Sequence, residues 1–169
     1  MIAIGEDRPG IVAALTGALF DAGGNLEDVS SSILRGHFAI MLVVDAPVPA
    51  DELERDLTGA AGPLGVSVTV RDVEVGAPRR AKATHTLVAY AADRPGIVSG
   101  LARLFADRGV NVTDLSCRLT GEESPVYVLV AELAVPGGAD PDELGASIAS
   151  RAGELGIDVT FRPIDADTL

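Results

Sequence analysis

Asp7-Arg8-Pro9-Gly10-Ile11-Val12 recurs residue for residue as Asp93-Arg94-Pro95-Gly96-Ile97-Val98, 86 positions further along a chain of 169 residues. Holding that offset over positions 7–30 also pairs Leu15 with Leu101, Asp21 with Asp107, Gly23 with Gly109, Asn25 with Asn111, Asp28 with Asp114 and Ser30 with Ser116. Twelve of the 24 positions are identical, which marks an internal duplication. Between the copies lies Gly76-Ala77-Pro78-Arg79-Arg80-Ala81-Lys82, breaker-containing and locally basic, as suits an exposed linker. The expected organisation is a first module over residues 1–75, a linker over 76–82 and a second module over 83–169.

After the repeated turn, Ile11, Leu15, Ala18 and Leu19 recur at helical spacing, as do Ile97, Leu101, Leu104 and Phe105, so each segment reads as an amphipathic helix. Pro9 and Pro95 suit the first helical turn, where a missing N–H costs nothing, and Gly23 and Gly109 suit the left-handed position just past the end. Two strand-like runs follow in each copy, residues 25–34 then 38–44, and 111–119 then 126–135. Arg35-Gly36 and Thr120-Gly121-Glu122-Glu123 supply the turns between them. Pro49-Ala50-Asp51-Glu52 and Pro141-Asp142-Glu143 announce a second helix, with proline and acids gathered at the positive end of the helix dipole. Leu53, Leu57 and Ala61 mark one inner face, and Leu144, Ile148 and Ala152 the other.

Closing strands then alternate, with Val66, Val68 and Val70 against Ser67, Thr69 and Arg71, and Ile157, Val159 and Phe161 against Asp158, Thr160 and Arg162. With opening strands at residues 2–5 and 84–91, each half spells βαββαβ. The fold class is α+β: two tandem ferredoxin-like modules, each an antiparallel sheet with helices on one face. The first opening strand is short beside its twin, so it is expected either to start abruptly or to be clipped and weakly paired.

Hydrophobic residues make up 47% of the chain and charged residues 22%, enough for a buried core. The longest apolar stretches, such as residues 38–44, fall far short of the roughly 20 residues that span a bilayer, so no membrane association is expected. The first seven residues lack a secretory pattern, which places the protein in the cytoplasm. Cys117 is the only cysteine, so this chain can build neither an internal disulfide nor a thiolate metal cluster. Thirteen basic against 25 acidic residues leave a formal charge of −12, which repels a phosphate backbone and argues against direct nucleic-acid binding.

No catalytic constellation emerges. Ser30-Ser31-Ser32 lies inside a predicted strand and not in a nucleophile elbow. His37 and His85 have no metal-ligand spacing, and no phosphate-binding glycine run is present. The expectation is a protein that is not an enzyme and holds no cofactor or metal.

The Asp-Arg-Pro-Gly-Ile-Val phrase opening a helix, the helix exit at Gly-x-Asn and the βαββαβ pattern together resemble the ACT domain, found widely in amino-acid metabolism. The resemblance covers nearly the whole chain. Paired copies with no attached catalytic domain look most like the glycine cleavage system transcriptional repressor family, on Gly5-Glu6-Asp7-Arg8-Pro9-Gly10 with Gly23-Gly24-Asn25 and on Asp93-Arg94-Pro95-Gly96 with Gly109-Val110-Asn111.

That resemblance implies a small amino acid, glycine or similar, bound at an interface between modules by the loop before the first helix and by polar residues near the start of the second strand. The residues so implicated are Asp7, Arg8, Pro9, Gly10, Ile11 and Asn25, with Asp93, Arg94, Pro95, Gly96, Ile97 and Asn111. Gly10 and Gly96 admit a ligand close to the backbone, and free N–H groups at a helix start attract a carboxylate. Asp7 and Asp93 either receive the ligand's ammonium or cap the helix through a side-chain oxygen. Asn25 and Asn111 either bridge the ligand or satisfy turn geometry after glycine, while Arg8 and Arg94 sit on a surface turn. The implied function is non-catalytic regulation through a protein partner, a regulator or a metabolic enzyme, by a homodimer. The alternatives are a detached regulatory subunit of a biosynthetic enzyme and a ligand-free dimerisation module. Gly5 stands in register with Ala91 and Gly24 with Val110, which suggests that one of two sites has been lost.

Overall fold

Leu53, Leu57 and Ala61 are all buried, as are their counterparts Leu144, Ile148 and Ala152, so the helical stripes read from the sequence do close onto sheets. The structure, a computed structural model, describes residues 1–73, 81–121 and 126–164. It separates into two compact units, Met1–Gly76 and Ala77–Leu169. Most of the expected linker, residues 76–80, and the turn residues Glu122 and Glu123 lie outside the described residues.

The first unit runs β1 (Ile2–Glu6), α1 (Ile11–Asp21), β2 (Asn25–Leu34), β3 (His37–Asp45), α2 (Ala50–Ala61) and β4 (Val66–Thr69), with a short 3-10 turn at Gly62–Leu64. The second runs β5 (His85–Ala92), α3 (Ile97–Asp107), β6 (Asn111–Thr120), β7 (Val126–Ala134), α4 (Pro141–Leu155) and β8 (Asp158–Pro163). Each sheet is antiparallel and four-stranded, in the order β2-β3-β1-β4 and β6-β7-β5-β8. Both are ferredoxin-like βαββαβ modules of the α+β class.

Alternation assigns the two sheet faces. In the first unit Ala3, Phe38, Ile40 and Leu42 turn to the helices and are at most 7% exposed. Their neighbours Ile2, Ile4 and Met41 turn to the opposite face and stay more than half exposed. In the second unit Leu87, Ala89, Leu129 and Ala131 fill the corresponding core.

Four expectations need correction. Pro9 and Pro95 lie before the helices and not in their first turns, because Gly10 and Gly96 occupy the N-cap positions at φ 96°, ψ −11° and φ 98°, ψ −12°. That left-handed step reverses the chain between the proline and the first helical residue. Asp7 and Asp93 do not cap these helices, since neither α1 nor α3 has a side-chain cap. Pro49 is the N-cap of α2, whereas Pro141 does sit within the first turn of α4, behind Asp140, whose carboxylate accepts from Asp142 N and Glu143 N. The short β1 is not weakly paired: it is an inner strand, with β3 on one side and β4 on the other. Gly23 and Gly109 do take the left-handed position after α1 and α3, at φ 75° and 64°. β4 stops at Thr69, where the Glu54 carboxylate takes over the N–H of Val70.

Packing accounts for the differences between the copies. A Cβ on Gly24 would stand 2.4 Å from Leu19 Cδ1, whereas in the second unit Phe105 replaces Leu19 and Val110 is itself buried. A Cβ on Gly5 would meet the Gly65 carbonyl at 2.7 Å. Where Ala91 takes that position, the β5–β8 ladder stops at Tyr90↔Asp158, one residue short of the Gly5↔Val66 pair that ends the β1–β4 ladder.

Two substitutions test this assembly by chemical denaturation. Leu57→Ala, at a fully buried position, is expected to destabilise the first unit by about 2–5 kcal/mol. Gly10→Ala meets no neighbour within 4 Å, so its expected cost of about 1–2 kcal/mol comes from the left-handed backbone alone.

Candidate functional site

The loop between β1 and α1 is held at three points. Asp7 N donates to Gly36 O at 2.8 Å, which ties the loop to the β2–β3 hairpin turn. Arg35 and Gly36 make that turn with φ 50° and 80°, the positive pair that a tight two-residue hairpin requires. Arg8 pairs with Glu6 through Nη2 and Oε2, and this guanidinium holds the Glu6 carboxyl below its ordinary range. Beyond them the left-handed Gly10 opens α1, and Ala14 N donates to Gly10 O at 2.9 Å. The first N–H groups of the helix therefore have no intrahelical acceptor and no side-chain cap.

The second loop repeats the backbone and changes its supports. Gly96 opens α3 in the same conformation, and Gly100 N donates to Gly96 O at 2.9 Å. Ala92 stands where Glu6 stands, so Arg94 has no neighbouring carboxylate in that place. Its guanidinium instead lies over Gly156, with Nη2 3.1 Å from where a Cβ there would be. Gly156 is the C-cap of α4, and a cation is favoured at the negative end of a helix.

Behind this loop stands Tyr127, opposite Ala91 and Leu119, in the position that Phe38 holds in the first unit. A hydrogen bond with Cys117, partial burial, and the charges of Cys117 and Asp93 push the Tyr127 phenol from 10.0 up to about 12. The sequence reading reaches Cys117 only as a lone thiol and does not reach Tyr127. The available signal was a break in the repeat, Tyr for Phe38 and Cys for Ser31, which has meaning only once the strands are in register.

The sequence-derived residues are only partly brought together. Asp7, Arg8, Pro9 and Gly10 form one exposed loop, and Asp93, Arg94, Pro95 and Gly96 another. Ile11 and Ile97 are each 2% exposed, so their side chains belong to the core and only their backbone N–H groups are available to the loop. Asn25 and Asn111 lie elsewhere. β2 runs from Asn25 to Leu34, and Leu34 pairs with His37, which pairs with Glu6 at the loop end. At about 3.3 Å per residue, Asn25 stands about 30 Å along the strand from its own module's loop. Asn111 is likewise at the far end of β6, since Thr120 pairs with Val126 and Val126 with Ala92.

At the Asn25 end the first unit carries a cleft of about 740 Å³ between the ends of β3 and β4 and the start of α2. Leu42, Val44, Val48, Leu53 and Val70 give it apolar walls, and Asp45 and Arg71 are among its charged lining residues. Of the histidines, His85 stacks on Phe161 with ring centroids 4.7 Å apart, and His37 Nδ1 lies 3.3 Å from the Arg35 carbonyl. Among the described residues no group of three His, Cys, Asp or Glu side chains is placed to hold a metal ion, and no helix is long and apolar enough to cross a membrane.

A raised phenol pKa contributes stability that is fully present below the ordinary value and is lost as pH rises through the folded one. In a Tyr90→Phe chain, absorbance titration of Tyr127 is therefore expected to centre near 12 and to fall back toward 10 when Cys117→Ala is added. Tyr127→Phe should remove the corresponding loss of stability across the same interval.

ACT domain models match residues 2–71 and 85–140. A UPF0237 protein of Methanopyrus kandleri is 41% identical over 75 residues, covering 43% of this chain and 83% of that protein. A UPF0237 protein of Methanocaldococcus jannaschii is 36% identical over the same length and with the same coverage. Among solved structures, a protein of unknown function from Galdieria sulphuraria matches with a TM-score of 0.81 at 21% identity, covering 97% of this chain and 96% of that one. A protein assigned as a glycine cleavage system transcriptional repressor matches with a TM-score of 0.74 at 18% identity, over 97% and 95%. At those identities the structural matches speak for the fold, while the two domain matches, which together span well over half of the chain, show that it belongs to the ACT domain family as a tandem pair.

Proposed function

We propose that this chain is a non-catalytic regulatory protein of the cytoplasm that binds a small amino acid at its β1–α1-type loops and signals through a protein partner. The observation that carries this reading is the repeated helix entry at Gly10 and Gly96, two left-handed glycines of nearly identical φ and ψ, each followed by a helix with no side-chain cap. Those N–H groups suit a carboxylate, and the exposed carboxylate of Asp7 or Asp93 suits the ammonium of the same ligand. Because Asn25 and Asn111 stand at the far ends of their own sheets, a small ligand that touches both a loop and an asparagine needs a second module.

Glycine, or an amino acid of similar size, is the ligand, and transcriptional control of glycine or amino-acid metabolism is the setting. Support comes from membership of the ACT family and from the fold shared with the protein assigned as a glycine cleavage system transcriptional repressor. A net charge of −12 favours action through another protein over direct contact with DNA. The signal requires unequal affinity for two conformations, since a ligand that binds both equally shifts nothing. The homodimer belongs to this reading. Association with a biosynthetic enzyme in place of a DNA-binding regulator is its principal alternative, and affinity purification from the native cell separates the two by the partner recovered.

Calorimetry with a panel of amino acids is expected to find a binder at or below millimolar concentration. Asp7→Asn or Asp93→Asn should weaken it by about tenfold or more, the scale of a charge-assisted hydrogen bond. At a hundredfold excess over Kd the ligand should stabilise the fold by about 2.7 kcal/mol, visible as a raised Tm. No binder in the panel, together with an unchanged Tm, would overturn sensing and leave a ligand-free dimerisation module.

A further inference from the structure

We propose that the cleft of the first unit binds a small, neutral, planar nitrogen heterocycle that carries an amino group, the chemistry of a nucleobase. This site lies at the other end of the module from the loop and does not rest on amino-acid binding.

The duplication shows what shape the cleft accepts. Ala3 and Ala89 are equivalent in the repeat, and they pair with Val68 and Val159 on the closing strands. Two residues further on, at the same side of the sheet, Val70 of the first unit stands where Phe161 stands in the second. The same two alanines pair with Ile40 and Leu129 on the other side, which makes Val44 the counterpart of Leu133. In the second unit this place is packed with rings. Phe161 stacks on His85, which pairs with Leu133, with centroids 4.7 Å apart and planes 9° from parallel. A Cβ on Gly145 of α4 would touch Phe161 at 3.7 Å, so the ring fills the space up to the helix. In the first unit valine replaces that ring, and a cleft of about 740 Å³ has Leu53 of α2 on one wall and Val44 and Val70 on the other. Its volume suits a small molecule, and a flat ring laid in it repeats the packing that the second unit makes from its own side chains.

The rim selects the substituents. Asp45, Arg71 and Asp72 line it, all three exposed, and none of their side chains has an ion pair or hydrogen bond among the described residues. An anion there is repelled by two carboxylates and a cation by the guanidinium. A neutral heterocycle meets neither cost. Its amino and ring N–H groups donate to the carboxylates, and a ring nitrogen or carbonyl oxygen accepts from Arg71.

NMR titration of methyl-labelled full chain with adenine and with cytosine tests this. Either base is expected to give saturable shifts at or below millimolar concentration in the methyls of Leu42, Val44, Leu53 and Val70, while those of Leu87 and Leu101 in the second unit stay still. Val70→Phe, which rebuilds the second unit's filling, should weaken binding by more than about tenfold with circular dichroism unchanged. Asp45→Ala with Asp72→Ala should weaken it by about tenfold, the scale of a charge-assisted hydrogen bond. Asp7→Asn and Asp93→Asn should leave it unchanged, which separates this site from the loops. If Val70→Phe fails to fold, the aspartate variant and the methyl shifts decide the matter. No saturable shift with either base, shifts that spare the cleft methyls, or binding that survives in a folded Val70→Phe chain would overturn the site. Equally tight binding of benzoate or phenethylamine would overturn the heterocycle as its ligand.

Discussion

A chain that leaves an inner strand must turn back over its own sheet before a helix can cover that sheet, and in both modules a single left-handed glycine makes the turn possible. With φ near 97° at Gly10 and Gly96, the step admits no other common residue without strain. Everything downstream depends on it. The entry angle of α1 and α3 sets which helical residues meet the sheet, and hence which strand residues are core. The same step has a second effect, because a helix entered through glycine carries no capping side chain. Its N–H groups stay available at the end of the module where the hairpin turn holds the loop.

The two copies keep this constraint and differ in what surrounds it. In the first, Glu6 engages Arg8 beside the loop; in the second, Arg94 turns to the end of α4, and Tyr127 with Cys117 lies behind. These are changes of support around an unchanged backbone. The replacements of Gly5 by Ala91 and Gly24 by Val110 have packing causes, a shortened ladder in one case and an exchange with Leu19 and Phe105 in the other. They give no reason to regard either loop as a lost site. Duplicated modules can thus diverge in electrostatics while retaining one backbone geometry.

The exposed β2 edge and the loop belong to opposite concerns of the same fold. A ferredoxin-like sheet buries one face and leaves two edges open, so a module of this size has more surface to manage than its core alone can settle. The first unit leaves Val29, Ile33 and Phe20 in solvent, whereas positions of comparable character on β3 are covered by α1 and α2.

The repeat, the order of elements, the helical stripes and the strand alternation were all legible in the sequence, because each depends on neighbours within a few residues and on periods of 3.6 and 2. The duplication itself required only identity at a fixed offset. What the tertiary structure decided were matters of long-range geometry. It placed Asn25 at the far end of the sheet from Asp7, although the two stand only 18 positions apart in the chain. It moved proline out of the helix and gave the cap to glycine, it paired the short β1 on both sides, and it set Tyr127 beside Cys117. Local pattern determines which element a residue joins; only the assembled sheet and its registers determine which residues end up side by side.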